Sequence, residues 1–204
     1  MKVKICGITH LDDALTAAEA GADALGFIFV RNSPRYVNPE AAGSIIRNLP
    51  PFVVPVGVFV NGRREDILET IQRSGIRCLQ MHGEESPEAT EGFPFPVWKG
   101  FRVSAAFRSE LLSRYHTSAY LLDAFVEGMR GGTGKVFDWR IALEAKKFGR
   151  IILSGGLSPQ NVADAVRTVN PYAIDLNSGV ESTPGVKNKE KIFELFHRLR
   201  DAGL

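Results

Sequence analysis

Cysteine is scarce in this chain: its 204 residues include two, Cys6 and Cys78. Two thiols cannot form a disulfide framework, and neither stands in a CxxC or Cys/His metal spacing. A reducing, cytoplasmic setting and no metal are therefore expected. Long apolar runs are also missing. The longest, 24–30 and 53–60, hold seven and eight residues, whereas a bilayer crossing takes about twenty. The first seven residues lack the apolar stretch of a signal peptide, and no membrane partner is expected. Nor is there an excess of one charge. The 25 basic side chains face 23 acidic ones, for a net charge of +2, which argues against a nucleic-acid binder with its clustered basic surplus. Low-complexity stretches, charge blocks and internal linkers are absent from the sequence.

What is there is ordinary in amount and informative in order. Apolar residues make up 44% and charged residues 24%, close to the globular averages of roughly 45–50% and 25%. At about 100–200 residues per domain, 1–204 reads as a single domain. Short apolar runs at 3–5, 24–30, 53–60, 77–81, 97–101, 119–123, 151–153 and 172–176 read as strands. Their starts recur at roughly 24 residues, enough for a strand, a helix and two loops. They are near-continuously apolar, as parallel strands buried on both faces should be. Pro55 fits only near the start of its strand, where a missing donor is tolerated.

Helix punctuation falls between these runs. Asn38-Pro39, Ser86-Pro87 and Ser158-Pro159 each place a capping side chain before a first-turn proline. Thr9-x-x-Asp12 has capping-box spacing, and Gly21, Gly75 and Gly149 stand where left-handed helix ends belong. Leu11, Ala14, Leu15 and Ala18 form a stripe for packing on a sheet. The segment between Ser104 and Ser118 has the weakest helical pattern. Eight β/α units imply an α/β fold, a closed (β/α)8 TIM barrel, rather than an open doubly wound sheet.

In such a barrel the chemistry lies at the C-terminal ends of the strands. Cys6, Arg35, His82, Asp123 and Asp175 all fall at or just beyond strand ends. Cys6 is either a small buried hydrophobe or a reactive thiol whose pKa the following helix start lowers. Asp123 is a rim carboxylate or a helix cap, and His82 a structural or a functional histidine. Arg35 is a solvated arginine or a fork for a carboxylate. Glycine turns follow strand six (131–134), strand seven (Gly155, Gly156) and strand eight (Ser178, Gly179). The last two suit a phosphate, because exposed N–H groups at a helix start attract an anion.

Motifs running in order through the chain resemble those of the phosphoribosylanthranilate isomerase family. They include Lys4-Ile5-Cys6-Gly7-Ile8-Thr9, Ser33-Pro34-Arg35-Tyr36, Gln80-Met81-His82-Gly83, Leu122-Asp123, Gly155-Gly156-Leu157 and Ser178-Gly179-Val180-Glu181. The resemblance implies a (β/α)8 isomerase of tryptophan biosynthesis. Its reaction would be the Amadori rearrangement of a phosphorylated ribosylamine, with a small phosphorylated molecule as substrate and no cofactor. It further implies Cys6 as general base and Asp123 as general acid. Arg35, His82, Gly155, Gly156, Asp175, Ser178 and Gly179 are the expected substrate-binding positions. Where the family usually carries aspartate, this chain has Asn188, still a sound helix cap. Another phosphosugar barrel isomerase or epimerase, or a barrel that only binds a phosphometabolite, is the alternative. The sequence leaves monomer and homodimer both open.

Overall fold

Eight parallel strands close on themselves in chain order in a computed structural model, which describes residues 1–104, 106–124 and 139–203. The strands are β1 (Lys2–Cys6), β2 (Ala24–Ile28), β3 (Val54–Phe59), β4 (Cys78–Met81), β5 (Val97–Val103), β6 (Ala119–Ala124), β7 (Ile151–Ser154) and β8 (Ala173–Leu176). All eight expected strands are present. β1 closes the ring against β8, with Lys4 opposite Asp175. Pro55 is the second residue of β3, as its missing donor requires. A small antiparallel hairpin, β9 (Glu181–Thr183) and β10 (Val186–Lys187), follows β8.

The outer layer is less regular. Helices α1 (Leu11–Ala20), α2 (Pro39–Ile46), α3 (Arg64–Ser74), α4 (Trp139–Ala145), α5 (Val162–Val169) and α6 (Lys189–Asp201) cover much of the wall. Short 3-10 turns, Glu88–Thr90 and Ser109–Arg114, stand in the β4–β5 and β5–β6 connections. The second lies where the helical pattern was weakest. The first corrects an expectation, because Ser86-Pro87 opens one turn and not a helix.

Other corrections are local. On α1 the buried residues are Ala14, Ala17 and Ala20, while Leu11 and Leu15 are exposed. Alanines allow the helix to lie close on the strands, so the leucines turn outward. Thr9 does not cap this helix; its hydroxyl donates to the Gly185 carbonyl. α5 begins after Asn161, not after Ser158, because Asn161 accepts from the Ser158 N–H and donates to the Gly156 carbonyl, holding the turn between them. Gly149 has positive φ but extended ψ. By contrast Gly21 and Gly75 are left-handed caps, and Asn38 and Asn188 accept from Ala41 and Lys191 as N-caps.

The main core lies between strands and helices and includes Ile5, Phe27, Leu122, Leu153, Ile174 and Ile192. Inside the barrel, Trp98 packs on two small clusters, Ala119, Leu121, Ile152 and Ala173, and Ala24, Val56 and Cys78. Burial pushes the Cys78 thiol up to about 12, so this cysteine is packing. Among the described residues no helix is long and apolar enough to cross a membrane.

Candidate active site

Alternation along the strands decides which side chains enter the barrel. On β1 it sends Lys4 and Cys6 inward, one above the other. Lys4 Nζ donates to Asp175 Oδ1 at 2.8 Å, and both groups are buried. Gly26 on β2 pairs with Cys6 in register. A Cβ on Gly26 would lie 2.7 Å from Cys6 Sγ and 3.0 Å from Lys4 Nζ, so this glycine supplies the room both groups occupy.

Charge and burial compete at this cluster. Burial pushes the Cys6 thiol up; Lys4 pulls it down, Asp175 adds to the rise, and the net position stays above the ordinary value. The helix-start effect expected from the sequence is outweighed, because the sulfur has lost its water. Burial likewise raises Asp175, with Lys4 opposing. On Lys4, burial lowers the ammonium, but Asp175 and Cys6 more than restore it.

Across the mouth, Asp123 is the penultimate residue of β6 and His82 follows β4. His82 Nε2 lies 3.3 Å from Asp123 Oδ2, and its Nδ1 lies 2.9 Å from Gln80 Nε2. Gly100 on β5 makes space for the ring: a Cβ there would fall 2.6 Å from His82 Nδ1. Asp123 and Cys6 sit on strands three steps apart around the ring.

Arg35 is on the rim, held from behind. Its Nε lies 2.9 and 3.1 Å from the two Glu181 oxygens and its Nη2 lies 2.7 Å from Oε2. Glu181 also accepts from Lys187 Nζ at 2.9 Å and from the Gly185 N–H at 3.2 Å. Burial works to raise the Glu181 carboxyl, yet Arg35 and Lys187 together hold it below the usual value. A guanidinium has five N–H groups; this ion pair fixes its plane and leaves the far edge of the fork available.

The glycine turns after β7 and β8 meet. Gly155 and Gly156 have φ of 84° and 68°, and a Cβ on Gly179 would come 2.0 Å from the Leu157 carbonyl oxygen. Ser178 and Gly179 open a 3-10 turn, Ser178–Val180, whose first N–H groups have no partner within it. The structure thus gathers Cys6, Asp175, His82, Asp123, Arg35 and both turns at one mouth. The glycine turn 131–134 lies outside the described residues. Sequence reasoning missed Lys4, Gln80, Glu181 and Lys187 as functional residues. For Lys4 and Gln80 the available signal was position, since a polar side chain two residues before a strand-end group shares its face; Glu181 and Lys187 lie in the β9–β10 hairpin, where that signal does not apply.

A parallel eight-stranded barrel with a thiol, a carboxylate–imidazole pair and two glycine turns at its C-terminal mouth belongs to the barrel enzymes that work on phosphorylated small molecules. Known proteins of similar sequence and fold narrow that class. A family model described as N-(5'phosphoribosyl)anthranilate (PRA) isomerase matches residues 3–198. The chain is 53% identical over 203 residues to the N-(5'-phosphoribosyl)anthranilate isomerase of Citrifermentans bemidjiense, covering all of this chain and 98% of that one. Phosphoribosyl anthranilate isomerase from Thermotoga maritima superposes with a TM-score of 0.93 at 42% identity, each chain fully covered. A phosphoribosyl anthranilate isomerase solved with reduced 1-(o-carboxyphenylamino)-1-deoxyribulose 5-phosphate superposes at 0.89 with 40% identity and full coverage of both. This chain belongs to the N-(5'-phosphoribosyl)anthranilate isomerase family.

Proposed function

We propose that the protein converts N-(5'-phosphoribosyl)anthranilate into 1-(2-carboxyphenylamino)-1-deoxyribulose 5-phosphate in tryptophan biosynthesis. The observation that carries this reading is the placement of Cys6 and Asp123 on separate strands of one mouth, in a chain of that family. Asp123 protonates the ribose ring oxygen; the C1–O bond breaks and the ring opens to a Schiff base. Cys6, as thiolate, then removes the C2 proton, and the C2–H electron pair moves to give an enolamine. Ketonisation moves the O2 proton off and places one on C1. Electrons shift only within the substrate, so the balance needs no external oxidant or reductant.

Lys4 supports the base by offsetting the cost of a buried thiolate, and Asp175 holds Lys4 in place. His82 steadies Asp123. Arg35, its plane set by Glu181, offers its free edge to the anthranilate carboxylate. The phosphate rests on the N–H groups of Gly155, Gly156, Ser178 and Gly179. The fluorescence of freshly made phosphoribosylanthranilate should disappear with purified protein. Cys6→Ser and Asp123→Asn should each lower turnover by at least about 10²-fold with the Michaelis constant little changed. Wild-type turnover in Cys6→Ser would remove the thiol from the mechanism and make His82 the next candidate base.

A second observation favours a homodimer. Phe52, in the loop before β3, is 94% exposed beside a cavity of about 200 Å³ at the N-terminal mouth, lined by Trp98, Ile152, Ala173 and Tyr172. One relative, from Thermotoga maritima, is described as dimeric. Phe52 of one copy would fill the cavity of another, so Phe52→Asp should convert a dimer to monomers in sedimentation; a wild type that sediments as a monomer would exclude the contact.

A further inference from the structure

A further buried cation, besides Lys4 and Lys187, lies behind the barrel wall on the acid side of the mouth. On β5, alternation points Trp98 and Gly100 into the barrel and turns Lys99 outward with Phe101. The Lys99 side chain is 2% exposed. Its ammonium lies 2.7 Å from both the Gly83 and Gly100 carbonyl oxygens, 3.4 Å from that of Met81 and 3.1 Å from Glu85 Oε2. Glu85 in turn accepts from the Gly83 N–H at 2.9 Å and from the Asn61 N–H, two residues beyond β3, at 2.8 Å. Burial lowers the Lys99 ammonium below the ordinary lysine value, against the pull of Glu85.

The residues held in this way are the neighbours of His82. The carbonyls of Met81 and Gly83 stand on either side of it, and Gly100, whose carbonyl is also held, provides the floor for its ring. The ring reaches Asp123 at 3.3 Å, near the limit for a hydrogen bond, so a small displacement of the main chain would break it. Stability alone is a poor reason for this arrangement. A buried ion pair often does no better than apolar side chains of similar volume, and no helix covers the β4–β5 connection to require a charge. What apolar residues could not provide is donors to three converging carbonyls.

We propose that Lys99, backed by Glu85, is a positioning residue for the reaction: it fixes the main chain on both sides of His82 and so holds the imidazole against Asp123. The inference rests on the reading of Asp123 as proton donor, and the test separates the two. Lys99→Met removes the cation, and the double variant Lys99→Gln/Glu85→Gln removes both charges so that neither is left buried alone. Turnover, Michaelis constant, melting temperature and the ring-nitrogen resonances of His82 are measured for both, beside Asp123→Asn. Turnover should fall about 10- to 100-fold while the Michaelis constant stays within about threefold. The His82 resonances should move in the direction seen in Asp123→Asn. A folded double variant with wild-type turnover and resonances overturns the proposal. So does a loss of activity that follows melting temperature with the resonances unmoved, or failure of the double variant to fold, either of which assigns the pair to stability. If Asp123→Asn keeps wild-type turnover, the proton-donor reading fails by itself, and the His82 resonances in the Lys99 variants still decide whether the clamp positions the ring.

Discussion

The two sides of the barrel mouth solve the same problem with their charges in opposite places. On the base side, the lysine–carboxylate pair is inside the barrel, with Lys4 and Asp175 beside the Cys6 sulfur. On the acid side, the pair is behind the wall, and Lys99 and Glu85 touch the main chain on either side of His82. Each side also uses one glycine to clear space, Gly26 for Cys6 and Gly100 for His82. A charge beside the sulfur acts on it directly through its field; a charge behind the wall, held on main-chain carbonyls, acts chiefly through the geometry it fixes. Removing one should change chemistry, and removing the other should change position.

The largest effect is expected at Lys4. Lys4→Met leaves Asp175 buried without its cation, which costs about 3–5 kcal/mol, and removes the group that opposes the burial-driven rise of the Cys6 thiol. Turnover at neutral pH should drop at least about 10²-fold, and the alkaline limb of the rate profile should move to higher pH. A folded Lys4→Met enzyme with an unchanged profile would make the inner charge merely structural and erase the distinction between the two sides.

The paired glycines come next. Gly26→Ala and Gly100→Ala each insert a methyl group where a heavy atom stands at 2.7 or 2.6 Å, and overpacking of this kind costs about 1–3 kcal/mol. Gly26→Ala should displace the thiol, which slow alkylation of Cys6 would report. Gly100→Ala should swing the imidazole off Asp123 and leave Cys6 alkylation unchanged. Equal alkylation rates in both variants would mean that the two sides are not separable.

How much of this was legible in the sequence follows from the same division. The strands were, because a parallel strand buried on both faces has little choice but a continuous apolar run, and even Pro55 found its place. The strand-end residues Cys6 and Asp123 and both glycine turns were legible for the same reason. Lys4 and Lys99 were not, since each interrupts an apolar run by one residue and the carboxylates they pair with are 171 and 14 positions away. Glu181 stood inside a recognised motif, but its job of fixing Arg35 depends on chain closure through the β9–β10 hairpin. The start of α5 was misplaced because the Ser158-Pro159 signal is real local chemistry, overruled by the Asn161 side chain.

Two buried carboxylates respond to pH in opposite directions. Glu181, between Arg35 and Lys187, is held below its ordinary value. It therefore contributes stability that is full above the unfolded value, near 4.5, and is lost as pH falls through the lower folded value. Asp175, buried with Lys4 as its one ion-pair partner, is raised; between its unfolded and folded values the native state holds the extra proton, so its contribution falls as pH rises. Glu181→Gln should flatten the acid limb of a stability–pH curve, whereas Asp175→Asn should steepen the rise of that curve with pH. Changes of slope in the same direction in both variants, relative to wild type, would contradict the assignment.

The smallest effect is expected at Tyr115, whose hydroxyl donates to the Glu85 carbonyl at 3.0 Å and whose ring meets Phe101 edge-on at 5.2 Å. Tyr115→Phe keeps the ring and removes the hydrogen bond, so it should lower stability by about 0.5–1.5 kcal/mol. The carbonyl of Glu85 lies on the chain that carries the clamp, but its carboxylate still has the Asn61 and Gly83 N–H groups and Lys99. Turnover should therefore stay within about twofold of wild type. A loss of turnover as large as that in the Lys99 variants would show that the whole 81–85 segment, and not the cation beneath it, sets the position of His82.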